Sequence, residues 1–216
     1  MNWIPLESNP DVLNSILARL KITNYEFQDV FGFEQDLLSM LSPVKSVILL
    51  FPVSQVYQDY CKQEQTDPCP SSVYFMKQTI GNACGMIAVL HSIMNTIKDL
   101  GELTWFYNET KNLDPDQRAD YLKTNPNSKF IADLHQETSE MGQTETPDAN
   151  DDVELHFVSF VNVDGVLYEL DGRKDGVVNH GVVNEFLPDC VKVIKSMMQR
   201  DPENLNFTAI ALTSEE

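Results

Sequence analysis

The chain has 216 residues, of which 42% are hydrophobic, and it carries a formal net charge of −18 at pH 7. This length and apolar content predict a single globular domain, residues 1–216, with a full core. Few basic side chains are available to neutralise phosphates, so the charge argues against nucleic acid; it favours a basic partner, or it serves only solubility. No apolar run approaches the ~20 residues of a membrane span, so no membrane association is expected.

The four cysteines follow no Cys-x-x-Cys metal spacing, and no secretory signal precedes them. We therefore expect reduced thiols, a cytoplasmic location, and neither a metal nor a cofactor.

The first 80 residues predict helices, a buried strand and a loop. Asn9 followed by Pro10 is typical of a helix start, with a buried apolar stripe on the turns that follow. Further helices are predicted at 34–41 and 53–62, a buried strand at 47–51, and a proline-containing loop at 63–72. Residues 1–8 have no periodicity, which fits either a tucked-in terminus or an apolar contact patch.

A polar turn beginning at Gln78 runs directly into an apolar segment, with Cys84 at the junction. The segment 84–100 is apolar on every side, which predicts a central helix surrounded by other elements. The first turn of a helix offers unpaired N–H groups and the positive end of the helix dipole, and both favour a thiolate. The alternative is that Cys84 is a small buried hydrophobic residue, the commoner role of a free cysteine.

After the central helix, Asp114, Pro115 and Gln117 form a capping pattern that predicts a helix to about Leu122. Residues 127–136 also have a helical pattern. Residues 137–152 are acidic and almost free of apolar side chains, which predicts a long loop, either disordered or functional. The chain is predicted to close with a helix at 188–199 and a strand at 207–212.

A nucleophilic cysteine needs a base, and geometry separates the four histidines. His91 lies about 10.5 Å along the helix axis from Cys84, beyond hydrogen-bond reach, so we expect a packing role. His135 precedes an acidic stretch and His180 lies in a turn-like segment, so both are predicted to face solvent. This leaves His156 as the candidate base.

His156 begins a β-rich run that Asp164-Gly165 joins to a second run, a strong hairpin signal. If Val163 pairs with Val166, Asp171 falls on the same sheet face as His156, as its diagonal neighbour, within reach of the imidazole. The hairpin therefore predicts a His–Asp pair in which the carboxylate orients the ring, unless the pair is accidental. The whole pattern indicates an α/β fold with a mostly antiparallel sheet and helices on both faces.

These motifs together resemble the ubiquitin carboxyl-terminal hydrolase family of cysteine peptidases over nearly the whole chain. The resemblance rests on four segments: Trp3-Ile-Pro-Leu-Glu-Ser-Asn-Pro10, Gln78-Thr-Ile-Gly-Asn-Ala-Cys84-Gly, Leu167-Tyr-Glu-Leu-Asp171-Gly-Arg-Lys174 with Asn179-His-Gly181, and Arg200-Asp-Pro202. One departure is Gly81, where the family carries a larger residue; it is expected to loosen the turn slightly.

The resemblance implies roles for individual residues. Cys84 would be the nucleophile, His156 the general base and acid, Asp171 its orienter, and Gln78 an oxyanion donor alongside the Cys84 N–H. The opening segment would contact the substrate through the side chains Trp3, Pro5, Leu6 and Glu7.

The resemblance also implies papain-like α-β-α layers, a knotted chain path, a monomer, and ubiquitin or a ubiquitin-like protein as partner. The implied reaction is hydrolysis of small adducts or extended peptides from the C-terminal glycine of ubiquitin. Family members pass the 137–152 loop over the active site, and sixteen residues span at most about 54 Å, too short to encircle a folded leaving group. Two alternatives remain, a general papain-like peptidase and a non-catalytic ubiquitin-binding protein.

Overall fold

A computed structural model describes residues 2–41, 43–143 and 154–215. Within these ranges six strands form one antiparallel sheet of order β1-β6-β2-β3-β4-β5. The strands are β1 Tyr25–Asp29, β2 Val44–Pro52, β3 Leu155–Val163, β4 Val166–Leu170, β5 Val178–Val182 and β6 Thr208–Ser214. The predicted α/β fold with an antiparallel sheet is confirmed.

The α-helices of the described ranges pack on both faces of this sheet, with short 3-10 turns before α5 and α7. They are α1 Pro10–Arg19, α2 Gln35–Leu38, α3 Gln55–Cys61, α4 Cys84–Thr96, α5 Thr104–Thr110, α6 Pro115–Thr124, α7 Lys129–Ser139 and α8 Phe186–Arg200. The predicted caps form: Asn9 accepts from Asp11 N–H, and Asp114 and Gln117 make a reciprocal capping box.

Alternation along β2 divides the core into two layers. Ile48 packs in the cluster that contains α1 and α4, whereas Val47 and Leu49 pack in the cluster that contains α8. Every residue of α4 from Cys84 to Met94 is buried, as expected of a central helix. The sheet therefore lies between helical layers, which is the predicted α-β-α arrangement; the knotted path stays a prediction.

Three elements were missed, namely β1, α5 and β5. Only Phe27 of β1 is fully buried, because β1 is an edge strand; Asn14 satisfies both the N–H and the C=O of Phe27. In β5, Gly181 has φ +92°, and its N–H donates to the Asn179 side chain, so the turn-like sequence is an irregularity within a strand.

Several predicted boundaries were wrong, among them the end of the helix predicted at 34–41, which is Gln35–Leu38 in the structure. Helix α4 ends at Thr96 instead of Leu100, because Ile97 adopts an extended conformation. Helix α7 continues through Ser139, past the predicted loop start at Glu137, since Thr138 is buried against the core and bonds the Leu134 carbonyl. Residues 144–152 of that loop lie outside the described residues.

Candidate active site

Cys84 is the first residue of α4, where the turn that begins at Gln78 enters the helix. The Gln78 N–H donates to the Gly172 carbonyl at 2.8 Å, which fixes this turn against the residue that follows Asp171. Gly172 permits the approach, because a Cβ there would lie 2.9 Å from the Gln78 Cβ. The backbone thus joins the cysteine turn to the end of β4.

The β3–β4 hairpin positions the other two groups. Val163 pairs with Val166, the predicted register. His156 Nε2 and Asp171 Oδ1 are 2.6 Å apart, and both side chains are fully buried. Because Nε2 is occupied by the carboxylate, Nδ1 is the ring nitrogen left for Cys84; within the described residues Nδ1 makes no hydrogen bond of standard geometry.

Cys84, His156 and Asp171 shift one another's pKa values in the directions that favour their charged forms. Burial raises the pKa of Cys84, but the adjacent His156 ring, with smaller contributions from the Phe157 backbone and Arg173, outweighs it, so the net pKa of the thiol is lowered. Burial lowers the pKa of His156, but the Asp171 carboxylate outweighs it, so the net pKa of the imidazole is raised. Burial also opposes the charge of Asp171, yet His156 holds the pKa of that carboxyl well below its usual range. The arrangement favours a thiolate beside an imidazolium.

The other three histidines bond groups outside the Cys84, His156 and Asp171 site. His91 is buried and its Nε2 hydrogen-bonds the Met76 backbone, which confirms the expected packing role. The prediction for His135 was wrong: it is buried, its Nε2 donates to the Ile4 carbonyl at 2.6 Å, and its ring packs on Trp3. His180 is only partly exposed and pairs with the buried Glu169 at 3.0 Å. For His135 the contacts come from the opening segment, and for His180 the partner lies on the neighbouring strand β4.

Gln78 is near Cys84 in sequence, but its side chain is turned inward here. Its Nε2 donates to the Ile80 carbonyl at 3.3 Å, and its Oε1 is buried without a partner in the described residues. An oxyanion role would require this amide to turn from the Ile80 carbonyl toward a bound carbonyl oxygen. Its oxyanion role stays a prediction.

The opening segment packs on the catalytic turn. Trp3 N–H donates to the Gly81 carbonyl, and a Cβ at Gly81 would lie 2.3 Å from the Asn2 amide oxygen. Leu6 covers Gly85, the residue after the candidate nucleophile. The glycine at the family's departure point therefore leaves room for the Asn2 side chain, which would have to turn aside if a larger residue stood there.

The four predicted substrate contacts differ in exposure. Trp3 and Leu6 are buried, so they present no open apolar patch in this state, whereas Pro5 and Glu7 are half-buried. The Glu7 carboxylate accepts from Asn9 and from the Gln143 N–H, which ties the opening segment to the chain beyond α7. The substrate-contact roles stay predictions, and the packing gives Trp3 and Leu6 a structural function.

One contact of the site carries no local sequence signal. The Tyr57 hydroxyl, on α3, donates to Asp171 Oδ2 at 2.8 Å. Only knowledge that α3 packs beside the end of β4 could have revealed it.

Within the described ranges no three potential ligands converge as a metal site requires, and no helix is both long and apolar enough to span a bilayer.

Comparison with known proteins decides the family. The model of ubiquitin carboxyl-terminal hydrolase, family 1, matches residues 3–199. The chain belongs to this family. It is 38% identical to a ubiquitin carboxyl-terminal hydrolase of Drosophila melanogaster, covering 99% of this chain and 98% of that protein. It is 37% identical to isozyme L1 of Rattus norvegicus, covering 98% of each.

The fold of the hydrolase family is also found by structural comparison. The catalytic domain of Trichinella spiralis UCH37 bound to ubiquitin vinyl methyl ester superposes with a TM-score of 0.82, covering 100% of this chain and 97% of that chain at 23% identity. Membership of the hydrolase family confirms the predicted enzyme class, a thiol-dependent ubiquitin hydrolase, and favours neither alternative.

Proposed function

We propose that this protein hydrolyses the bond at the C-terminal glycine of ubiquitin, with Cys84 as nucleophile. The observation that carries the proposal is the buried His156–Asp171 pair placed against a cysteine at a helix N-terminus. A buried neutral cysteine would need none of these groups, and the lowered pKa of Cys84 distinguishes it from Cys190, whose buried thiol has a raised pKa.

In the acylation half of the reaction, the Cys84 thiolate attacks the carbonyl carbon of the terminal glycine. The oxyanion that forms lies at the start of α4, where the Cys84 N–H and a reoriented Gln78 amide would donate to it. His156 then gives its Nδ1 proton to the leaving nitrogen, and the C–N bond breaks to leave a thioester.

In the deacylation half, neutral His156 removes a proton from water, which attacks the thioester carbonyl. Sulfur leaves as the thiolate, and the imidazolium forms again beside it. Asp171 holds the ring through both halves, since its carboxylate faces Nε2 and leaves Nδ1 for the proton transfers.

The leaving group is proposed to be small or extended. The chain passes from the end of α7 at Ser139 to the start of β3 at Leu155, and the next residue is His156. The predicted loop therefore ends beside the catalytic base. A ubiquitin–peptide fusion should be cleaved faster than a ubiquitin–ubiquitin isopeptide. An insertion of about ten Gly/Ser residues into the 137–152 loop should bring the two cleavage rates closer together. Equal rates in the parent protein would contradict a size filter.

An exposed apolar surface at the end of β1 fits the body of the substrate. Phe31 is 88% exposed, and beside it Phe33 and Phe207 line a cavity. Phe207 stacks on Phe51, whose ring packs edge-on against His156, so this surface adjoins the catalytic end of the sheet. Large exposed aromatic side chains are typical of protein-binding sites, and the net charge of −18 favours a basic tail.

The decisive test is labelling with ubiquitin that bears a C-terminal electrophile, compared with an ordinary peptide electrophile. Intact-mass analysis should find one ubiquitin adduct, lost in Cys84→Ala and kept in Cys190→Ser. Equal labelling by the peptide would indicate a general peptidase, and ubiquitin binding without an adduct would indicate a non-catalytic binder. Parallel reactions with ubiquitin-like proteins would identify the preferred modifier.

A further inference from the structure

We propose that Tyr57 is a positioning residue that holds the Asp171 carboxylate in the orientation that His156 requires. This inference rests on the proposed function of the Cys84, His156 and Asp171 group. It concerns an α3 residue to which none of the sequence motifs assigned a role.

The carboxylate of Asp171 is fully buried and needs a donor on each oxygen. Oδ1 accepts from His156 Nε2 at 2.6 Å and from the Arg173 N–H at 2.9 Å. Oδ2 accepts from the Tyr57 hydroxyl at 2.8 Å, its sole donor within the described part of the chain. Without Tyr57, rotation about the Cβ–Cγ bond of Asp171 would be limited only from the Oδ1 side.

Tyr57 is itself fixed by its surroundings. The Ser54 hydroxyl accepts from the Tyr57 N–H and caps the first turn of α3. The Tyr57 ring packs edge-on against Phe51 at 4.7 Å, and Phe51 packs edge-on against His156 at 5.8 Å. Tyr57 therefore contacts the carboxylate directly and reaches the imidazole through one intervening ring.

The hydroxyl remains a neutral donor at every working pH, because burial and then the charge of Asp171 raise the pKa of Tyr57 far above its ordinary value. Other titratable groups also act on Asp171: Lys174 from the loop that follows it, Cys61 from α3 and His91 from α4. None of the three gives a hydrogen bond to Oδ2 in the described residues.

The expected kinetic effect is confined to the chemical step. Tyr57 is half-buried, and its hydroxyl contacts the triad carboxylate, so Tyr57→Phe should leave KM within about twofold. The value of kcat should fall about tenfold, the rate equivalent of one hydrogen bond to a charged group. The alkaline limb of the pH–rate profile should move to lower pH, because a less restrained carboxylate stabilises the imidazolium less.

The matched control is Tyr74→Phe. The Tyr74 hydroxyl bonds Thr110 at 2.7 Å, away from the triad, and Tyr74 is more deeply buried than Tyr57. Both variants lose one hydrogen bond of a tyrosine hydroxyl, so both should lower the melting temperature. Only Tyr57→Phe should change kcat and the alkaline limb.

A double-mutant cycle and a rescue sharpen the test. In an Asp171→Asn background, Tyr57→Phe should reduce kcat by less than twofold, because the carboxylate that it positions is gone. A fluorinated tyrosine at position 57 keeps the shape and the hydroxyl, and it should restore kcat; this variant also serves if Tyr57→Phe does not fold. The proposal is overturned if kcat and the pH limb stay at parent values, if the two substitutions reduce kcat independently, or if the fluorinated protein is as slow as Tyr57→Phe.

Discussion

His156 and His91 are both fully buried, yet their pKa values are shifted in opposite directions. Burial, with a smaller contribution from the charge of Arg118, lowers the pKa of His91 to about 4, and backbone groups are its hydrogen-bond partners. At His156 the same burial is outweighed by Asp171, and the pKa is raised. His135, whose partner is the Ile4 carbonyl, behaves like His91, with a pKa lowered by burial to about 4. A buried carboxylate 2.6 Å away therefore separates a catalytic histidine from a packing histidine.

The largest expected effect on rate follows removal of the Cys84 thiol, the group that charged His156 ionises. Cys84→Ala should abolish hydrolysis of a ubiquitin C-terminal fluorogenic amide, because it removes the sulfur that attacks the carbonyl carbon. Ubiquitin affinity should be retained, since it depends on a broad surface. Turnover within a few-fold of the parent would reject Cys84 as nucleophile, and Cys69→Ser is the control whose rate should stay unchanged.

The second prediction removes the carboxylate partner of His156, so that this histidine, like His91, is buried without an anion bonded to its ring. Asp171→Asn keeps the shape but removes the anion that orients and charges the ring, so kcat should fall by about 10³- to 10⁴-fold with little change in KM. Steady-state kinetics with the fluorogenic amide measure both constants. An effect confined to KM would mean that Asp171 is only a residue at the end of a strand.

The third prediction separates chemistry from docking. Phe31→Asp places a charge on the exposed apolar surface and should raise KM about tenfold while kcat changes less than twofold. Val182→Asp is the matched control, because Val182 is 78% exposed on β5, at the opposite edge of the sheet from β1. Equal effects of the two substitutions would show that the Phe31 surface does not bind substrate.

The smallest effect on rate is expected at His91. His91→Gln should leave kcat within about twofold, since the residue hydrogen-bonds the Met76 backbone and not Cys84. Its effect should appear in the pH dependence of stability. The unfolded chain binds a proton near pH 6.5 and the folded protein only near pH 4, so stability falls as the pH drops through that window.

The slope of this decline is at most about 1.4 kcal/mol per pH unit for each such histidine. Urea unfolding between pH 4 and 7 should find a shallower slope in His91→Gln than in the parent protein. An unchanged slope would mean that His91 is not held neutral.

The sequence was most informative where function and local pattern coincide. The Asp164-Gly165 turn predicted the register that joins His156 to Asp171, and the helix start predicted the place of Cys84. The burial of His135 and the donor on Asp171 Oδ2 were not predictable, because each depends on a partner more than a hundred residues away. The edge strands were missed since only one face of β1 is buried and β5 is interrupted at Gly181.

The central claim is that Asp171 charges His156 and that His156 in turn ionises Cys84 in the free enzyme. The direct measurement is the rate of Cys84 alkylation by iodoacetamide from pH 4 to 10, read by peptide mass. We predict reactivity well below the ordinary thiol pKa of about 8.5, with a second rise when the imidazolium loses its proton. In Asp171→Asn the low-pH reactivity should be lost. A single ionisation near 8.5 in the parent protein, unchanged by Asp171→Asn, would contradict the account.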